Sequence, residues 1–311
     1  ATLISVMLRE AGIHAQPVLI NADDRRGSED LTLPMVNHFN HCIAYVPPGG
    51  GREELFLDGT AQFHGFRDVP SMDRGATVLV VGEEKASIQK VPWNTPAELS
   101  VTEEATVTIH PDLGADLQIR AKAAGDYAVY VRQQFEIETQ RRTQLEKMYG
   151  RRFASSSVKE ETFSNLLDLD EPVSFSASIA VPRFVVEAPE GLSLRAAEDF
   201  FGTAQSLGAL GSLEKRTQDV LLGSPRSSSL RTVYILPEGF KVKSLPPAHD
   251  LQSRFGRLKV AYEEEGPRKI VAHRLIEVSS PRVSVADYAE FRELAASVGR
   301  LVDEKIVLER S

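Results

Sequence analysis

Apolar and polar positions change period several times along the chain, and the changes divide it. Leu3, Ile4, Met7, Leu8 and Ala11 recur at the spacing of one helical face, and Gly12 comes next, where a helix can stop in a left-handed conformation. The pattern predicts the later turns of an amphipathic helix. Residues 13–20 (Ile-His-Ala-Gln-Pro-Val-Leu-Ile) then predict a strand, and the polar stretch Asn21 to Asp30 predicts a loop. Two short apolar runs, Cys42 to Val46 and Glu54 to Leu57, flank Pro47-Pro48-Gly49-Gly50-Gly51 and predict an antiparallel hairpin with a loose tip. Residues 77–81 predict another buried strand. The stretch from Gly82 to Leu99, with Pro92, Pro96 and its charges, reads as a linker, with a domain boundary near residue 95.

Beyond that boundary, residues 101–109 and 116–121 approach the two-residue alternation of half-exposed strands. Tyr130 to Tyr149 contains no Gly or Pro and closes at Gly150, which predicts one long helix. Strands return at 173–181, 231–236, 258–262 and 269–278, separated by turns such as Pro237-Glu238-Gly239 and Glu265-Gly266-Pro267. Short strands between such punctuation favour a β-sandwich over a parallel α/β sheet. Ser284 and Asp287 form a capping-box pattern ahead of a helix from Tyr288. The expected class is therefore α+β: a helix with an antiparallel sheet over residues 1–95, then a β-sandwich-rich region over 96–311 with one long helix, divisible into two subdomains. A length of 311 residues, about twice the commonest domain size, fits that division.

Composition adds mostly exclusions. A net charge of −8 leaves no basic footprint, and Arg141-Arg142 and Arg151-Arg152 are interleaved with Glu136, Glu138 and Glu146, so nucleic acid is not an expected partner. No run approaches the roughly 18–20 apolar residues of a membrane span. One cysteine, Cys42, allows neither an intramolecular disulfide nor a thiolate zinc site. The first residues do not have the pattern of a signal peptide, and the chain reads as beginning inside a domain.

Two segments carry candidate chemistry: residues 37–46 (Asn-His-Phe-Asn-His-Cys-Ile-Ala-Tyr-Val) and residues 55–60 (Leu-Phe-Leu-Asp-Gly-Thr). Here the chain resembles the bacterial transglutaminase-like superfamily of papain-type fold. In that superfamily a Phe-Asn-His-small-Ile strand carries the catalytic His, and a Leu-Asp-Pro-Thr turn on the next strand carries the Asp. The resemblance assigns His41 and Asp58 to those positions, with Asn40 in support, and makes residues 1–95 the C-terminal half of such a core. The opening helix matches the segment directly after the family's nucleophile, so the resemblance puts the missing Cys a few residues before Ala1, with no nucleophile in this chain. It also implies a protein or peptide substrate, no cofactor, and a periplasmic or cell-envelope location. Gly59 departs from the family's Pro and predicts a looser turn at Asp58. The Leu236-Pro237-Glu238-Gly239 turn and the late helix resemble β-sandwich modules of unknown function that accompany such cores.

The chemistry can be stated from the residues alone. An imidazolium and a helix N-terminus depress a thiol's pKa, giving a thiolate-imidazolium pair, and a carboxylate behind the imidazole fixes its tautomer. Neighbouring antiparallel strands can supply His41 and Asp58 on one face. Cys42, the next residue on that strand, points to the opposite face and reads as a small buried hydrophobe. A zinc reading of His38, His41, Asp58 and His64 is disfavoured because residues three apart on a strand face opposite ways; no metal is expected. His110, His249, His273, Asp168, Asp170 and Glu171 receive no role. Two functions remain as alternatives: a fragment of a cysteine acyltransferase or peptidase, inactive by itself, or a non-catalytic envelope binding or scaffolding protein on a degenerate fold.

Overall fold

The computed structural model describes residues 1–23, 35–82, 84–196 and 200–310; the predicted loop from Asp24 to Asp30 lies outside them. The chain forms two compact units, Ala1–Thr95 with Leu167–Glu171, and Pro96–Leu166 with Pro172–Ser311. Both are mixed helix and sheet, with antiparallel pairing dominant.

The first unit opens with α1 (Thr2–Glu10). Its end is a Schellman cap: Gly12 sits at φ 75°, its N–H bonds the Arg9 carbonyl at 3.0 Å, and the Ile13 N–H bonds the Leu8 carbonyl at 2.8 Å. Five strands come after it, β1 (Gln16–Ile20), β2 (His41–Val46), β3 (Leu55–Leu57), β4 (Thr77–Val81) and β5 (Ala86–Lys90), in the antiparallel order β3-β2-β1-β4-β5. The stretch read as a linker thus contains an edge strand. Its exposed alternation of polar residues hides it, and the ladder from Thr77↔Lys90 to Val81↔Ala86 forms it. Val18, Ile20, Ile43, Tyr45, Phe56, Val78 and Val80 form the core on one face of the sheet. On α1, Ser5 is buried, whereas Leu3 and Met7 are 72% and 62% exposed. Stripes at 4, 5 and 8 and at 3 and 7 share the helical spacing, and only one of them can turn to the sheet.

The second unit begins with β6 (Ser100–Ile109) and β7 (Ala115–Ala123), and β7 alternates buried and exposed without exception. The predicted single helix is broken into α2 (Asp126–Phe135), a 3-10 turn at Glu138–Gln140, and α3 (Arg141–Gly150). Val131 and Phe135 are buried, as are Leu145 and Tyr149, but Glu138, Thr139 and Arg142 would occupy the same stripe of a straight helix. The break removes that polar gap, and the Arg141 Nε donates to the Phe135 carbonyl across it at 2.8 Å. The chain continues through β8 (Ser157–Phe163), β9 (Val173–Val181), β10 (Val186–Ala188), β11 (Gly191–Arg195), α4 (Thr203–Leu210), β12 (Val220–Leu221), β13 (Arg226–Ile235), β14 (Phe240–Ser244), β15 (His249–Ser253), β16 (Gly256–Glu264), β17 (Lys269–Val278), β18 (Arg282–Val283), α5 (Tyr288–Arg300) and β19 (Lys305–Arg310).

Eight of these strands form one sheet in the order β15-β16-β17-β13-β6-β7-β9-β8, in which only β13 and β6 run parallel. One face of that sheet carries two cores. Phe135, Leu145, Phe175 and Tyr234 join Leu194 and Leu308 of the smaller sheet β10-β11-β19-β14, a sandwich as expected. Helices replace the second sheet at the other end, where Leu207 of α4 and Phe291, Leu294 and Val298 of α5 pack with Leu258 and Ile276. The two helices approach through glycine: a Cβ on Gly208 would lie 2.4 Å from Gly299 Cα. Ser284 Oγ accepts from the Asp287 N–H at 3.2 Å and so caps the turn leading into α5.

Candidate active site

Strand parity brings His41 and Asp58 together. In the β1–β2 ladder His41 pairs with Ile20, and it shares a face with Ile43 and Tyr45. In the β2–β3 ladder Tyr45 pairs with Phe56 and Ala44 with Leu57, so one further step sets Asp58 opposite Ile43, on the same face as His41 and diagonal to it. Tyr45 and Phe56 lock that register with ring centroids 4.9 Å apart, and the Tyr45 hydroxyl donates to Glu54 at 3.0 Å.

The result is a His–carboxylate contact of 3.2 Å between His41 Nε2 and Asp58 Oδ1, with the Asp58 side chain 3% and the His41 side chain 27% exposed. The separation is that of an ion pair. The angle is not that of an aligned hydrogen bond. Asp58 is also held by Thr60, whose N–H donates to Oδ1 at 2.9 Å and whose hydroxyl lies 2.8 and 3.0 Å from the two oxygens. Burial pushes the Asp58 carboxyl up, but the Thr60 N–H and hydroxyl and then His41 outweigh it and hold the group below its ordinary 3.8. The carboxylate therefore faces the ring as an anion at neutral pH, and with Nε2 turned to it, Nδ1 is the nitrogen left for proton transfer. Sequence reasoning misses Thr60; its signal is the Asp-x-Thr spacing of a side-chain-closed turn.

Asn40 does not touch the pair: its Oδ1 accepts from the Ala22 N–H at 2.8 Å, its Nδ2 donates to the Ala22 carbonyl at 3.3 Å, and its N–H bonds the Ile20 carbonyl at 3.1 Å. These bonds continue the ladder past Ile20 and fix the backbone just before His41. Cys42 pairs with Leu19 on the opposite face of the strand. Gly59 lies under α1, where an added Cβ would stand 2.6 Å from Ile4 Cδ1, so the first turn of the helix abuts the Asp58 turn. That turn is closed by Thr60 and by the Ala61 N–H to the Asp58 carbonyl at 3.1 Å, not loosened by Gly59. Among the described residues His38 and His64 do not join His41 and Asp58 as a ligand set.

Two histidines given no role also meet carboxylates. His110 lies 3.2 Å from Asp116 on the exposed β6–β7 turn. His249 Nε2 lies 2.7 Å from Glu304 Oε1, and the Tyr262 hydroxyl donates to the other Glu304 oxygen at 3.2 Å. Among the described residues, no helix is long and apolar enough to cross a membrane.

Comparison with known proteins adds two findings. A family described as a domain of unknown function with a solved structure, DUF3858, matches residues 201–308, about a third of the chain and wholly in the second unit. No curated protein matches. A crystal structure of a candidate protease from Parabacteroides distasonis aligns with 99% of this chain at a TM-score of 0.50 and 13% identity. The chain spans 42% of that protein's length, and at this identity the likeness is one of fold.

Proposed function

We propose that the first unit supplies the His–Asp half of a thiol-dependent acyl-transfer site, acting on a peptide bond or on a glutamine or asparagine side-chain amide. The observation that carries this reading is the buried, ionised Asp58 set against Nε2 of a partly exposed His41, beside the first turn of α1. Asp58 orients the ring and supports its positive charge, and His41 Nδ1 takes the proton of a thiol. The thiolate adds to the acyl carbon, and the imidazolium returns the proton to the departing amine as the carbon–nitrogen bond breaks. Water or a second amine, activated by the same ring, then cleaves the thioester. Cys42 is on the wrong strand face for this role, so the thiol is to come from outside this sequence. The fold likeness to a candidate protease supports hydrolysis, and the transglutaminase-like motif is compatible with amine transfer. The reading carries a periplasmic or envelope location, which fractionation of the source cells would check.

Gly59, where the resembled family has Pro, and the strand-rich sequence after residue 95 favour a second reading, a binding protein that keeps the fold without the reaction. The experiment that separates them is turnover of a fluorogenic peptide, and of a glutamine peptide with an amine acceptor, by a polypeptide that includes the residues preceding Ala1. Turnover lost in both His41→Ala and the variant of an upstream Cys supports the enzyme. Absence of turnover, or turnover indifferent to His41, supports the binding protein.

A further inference from the structure

Every sheet of this chain ends in edge strands, and natural edges avoid pairing with other chains by being short, bent, proline-flanked or charged, or by having their backbone groups covered. Most edges here follow that rule. The backbone of β8 is covered from α3: Glu146 accepts the Val158 N–H at 3.3 Å, and Arg142 donates to the Lys159 carbonyl at 3.2 Å. β14 carries a bulge between Val242 and Ser244. β15 follows Pro246-Pro247 and carries Asp250, which pairs with Arg257. β3, β10, β12 and β18 have three residues or fewer.

β5 lacks these devices except for Lys90 at its end. It runs five residues without proline or bulge, in unbroken register with β4, and among the described residues nothing pairs with its outer side. On the face away from the core, Ile88 heads an apolar row that passes through Leu79 and Leu19 to Cys42 across β4, β1 and β2. At Ile88, 59% exposed, the row ends in solvent.

The charges flanking β5 point to the strand that fits it. Glu84 stands before the strand and Lys90 at its end, both exposed, and neither meets an opposite charge among the described residues. Two copies joined along the same edge are related by a two-fold axis, and their edge strands run antiparallel. With Ser87 on that axis, Glu84 of each copy faces Lys90 of the other, Lys85 faces Gln89, and Ile88 faces Ala86. No like charges meet, and the apolar row continues into the second copy through Ala86 to its ladder partner Val81, 39% exposed.

We propose that β5 is a self-association edge, through which two copies of this chain pair antiparallel and join their five-stranded sheets into one. A single pair of short strands buries less than the roughly 1,200–2,000 Å² of stable complexes, so the dimer belongs to the weak class. The test is sedimentation velocity on the whole chain from about 10 µM to about 1 mM, the range of weak association. It is repeated on Ile88→Lys, Glu84→Lys, Lys90→Glu and the swap Glu84→Lys/Lys90→Glu, all exposed positions whose folding circular dichroism checks. The expected result is a monomer at the low end and a dimer at the high end. Ile88→Lys weakens the dimer about tenfold or more, each single charge reversal weakens it several-fold, and the swap restores it. A chain that stays monomeric throughout would overturn the proposal, and so would a dimer indifferent to Ile88→Lys. A swap that associates no better than the single reversals would refute the charge-matched register and the second copy as occupant.

Discussion

Each unit contains a partly buried histidine against a carboxylate, and the two arrangements differ in what else the carboxylate holds. In the second unit Glu304, in the turn between α5 and β19, accepts from His249 on β15 with one oxygen and from Tyr262 on β16 with the other. Burial, then the charge and hydrogen bond of Glu304, push the Tyr262 hydroxyl well above its ordinary value, so it remains a donor. That trio ties two strands to a distant turn and is closed. In the first unit the other described partner of Asp58 is Thr60, two residues away, so among the described residues the carboxylate joins no third element. The His41 contact is unaligned, and Nδ1 makes no hydrogen bond among the described residues. A closed trio fixes structure, whereas an open pair with its anion prepared leaves a nitrogen for chemistry.

The comparison breaks most sharply through activity. In a polypeptide that carries the thiol, His41→Ala is expected to lower acyl turnover by about 10²–10⁴-fold, while His249→Ala leaves it within a factor of two, checked by kcat/KM for a peptide substrate. Stability should respond the other way. Glu304→Ala leaves His249 and Tyr262 without their shared acceptor and is expected to cost about 2–3 kcal/mol in urea denaturation, against under about 1 kcal/mol for His41→Ala.

Removing only the hydroxyl that prepares Asp58, with Thr60→Val, should cost about 1 kcal/mol and move the Asp58 titration, followed by carboxyl ¹³C NMR, upward. The sign for pH comes from the same depression. Asp58 ionises more readily folded than unfolded, so its contribution to stability is present above the ordinary 3.8 and is lost as pH falls below it toward the folded value. The stability difference between the native chain and Asp58→Asn should therefore shrink over that range in acid denaturation curves. Gly59→Ala should have the smallest effect, under about 1 kcal/mol, because the atom it meets is the terminal methyl of Ile4, which can rotate away.

Much of the fold is legible in the sequence where its determinants are local. Gly12 announces the end of α1, the strand at 173–181 begins and ends where its alternation does, and the strand at 269–278 starts just after the Glu265-Gly266-Pro267 turn. The meeting of His41 and Asp58 comes from parity across a hairpin, with Tyr45 and Phe56 as its register marks. The determinants that escape are long-range or negative. The break between α2 and α3 is an absence of apolar residues at 138–142, which an absence of Gly and Pro conceals. The parallel pairing of β6 with β13 joins segments that no local period relates, and His249 finds Glu304 across 55 positions. Gly208 and Gly299 look like helix breakers in sequence, yet they are where α4 and α5 touch.

The most direct measurement is the rate of iodoacetamide alkylation at pH 6 in a polypeptide extended past Ala1, compared with its His41→Ala and His249→Ala variants. The account predicts one upstream cysteine that labels far faster than Cys42, loses that advantage with His41→Ala and keeps it with His249→Ala. An upstream segment without cysteine, or one whose thiol reacts at an ordinary rate in all three proteins, would contradict it.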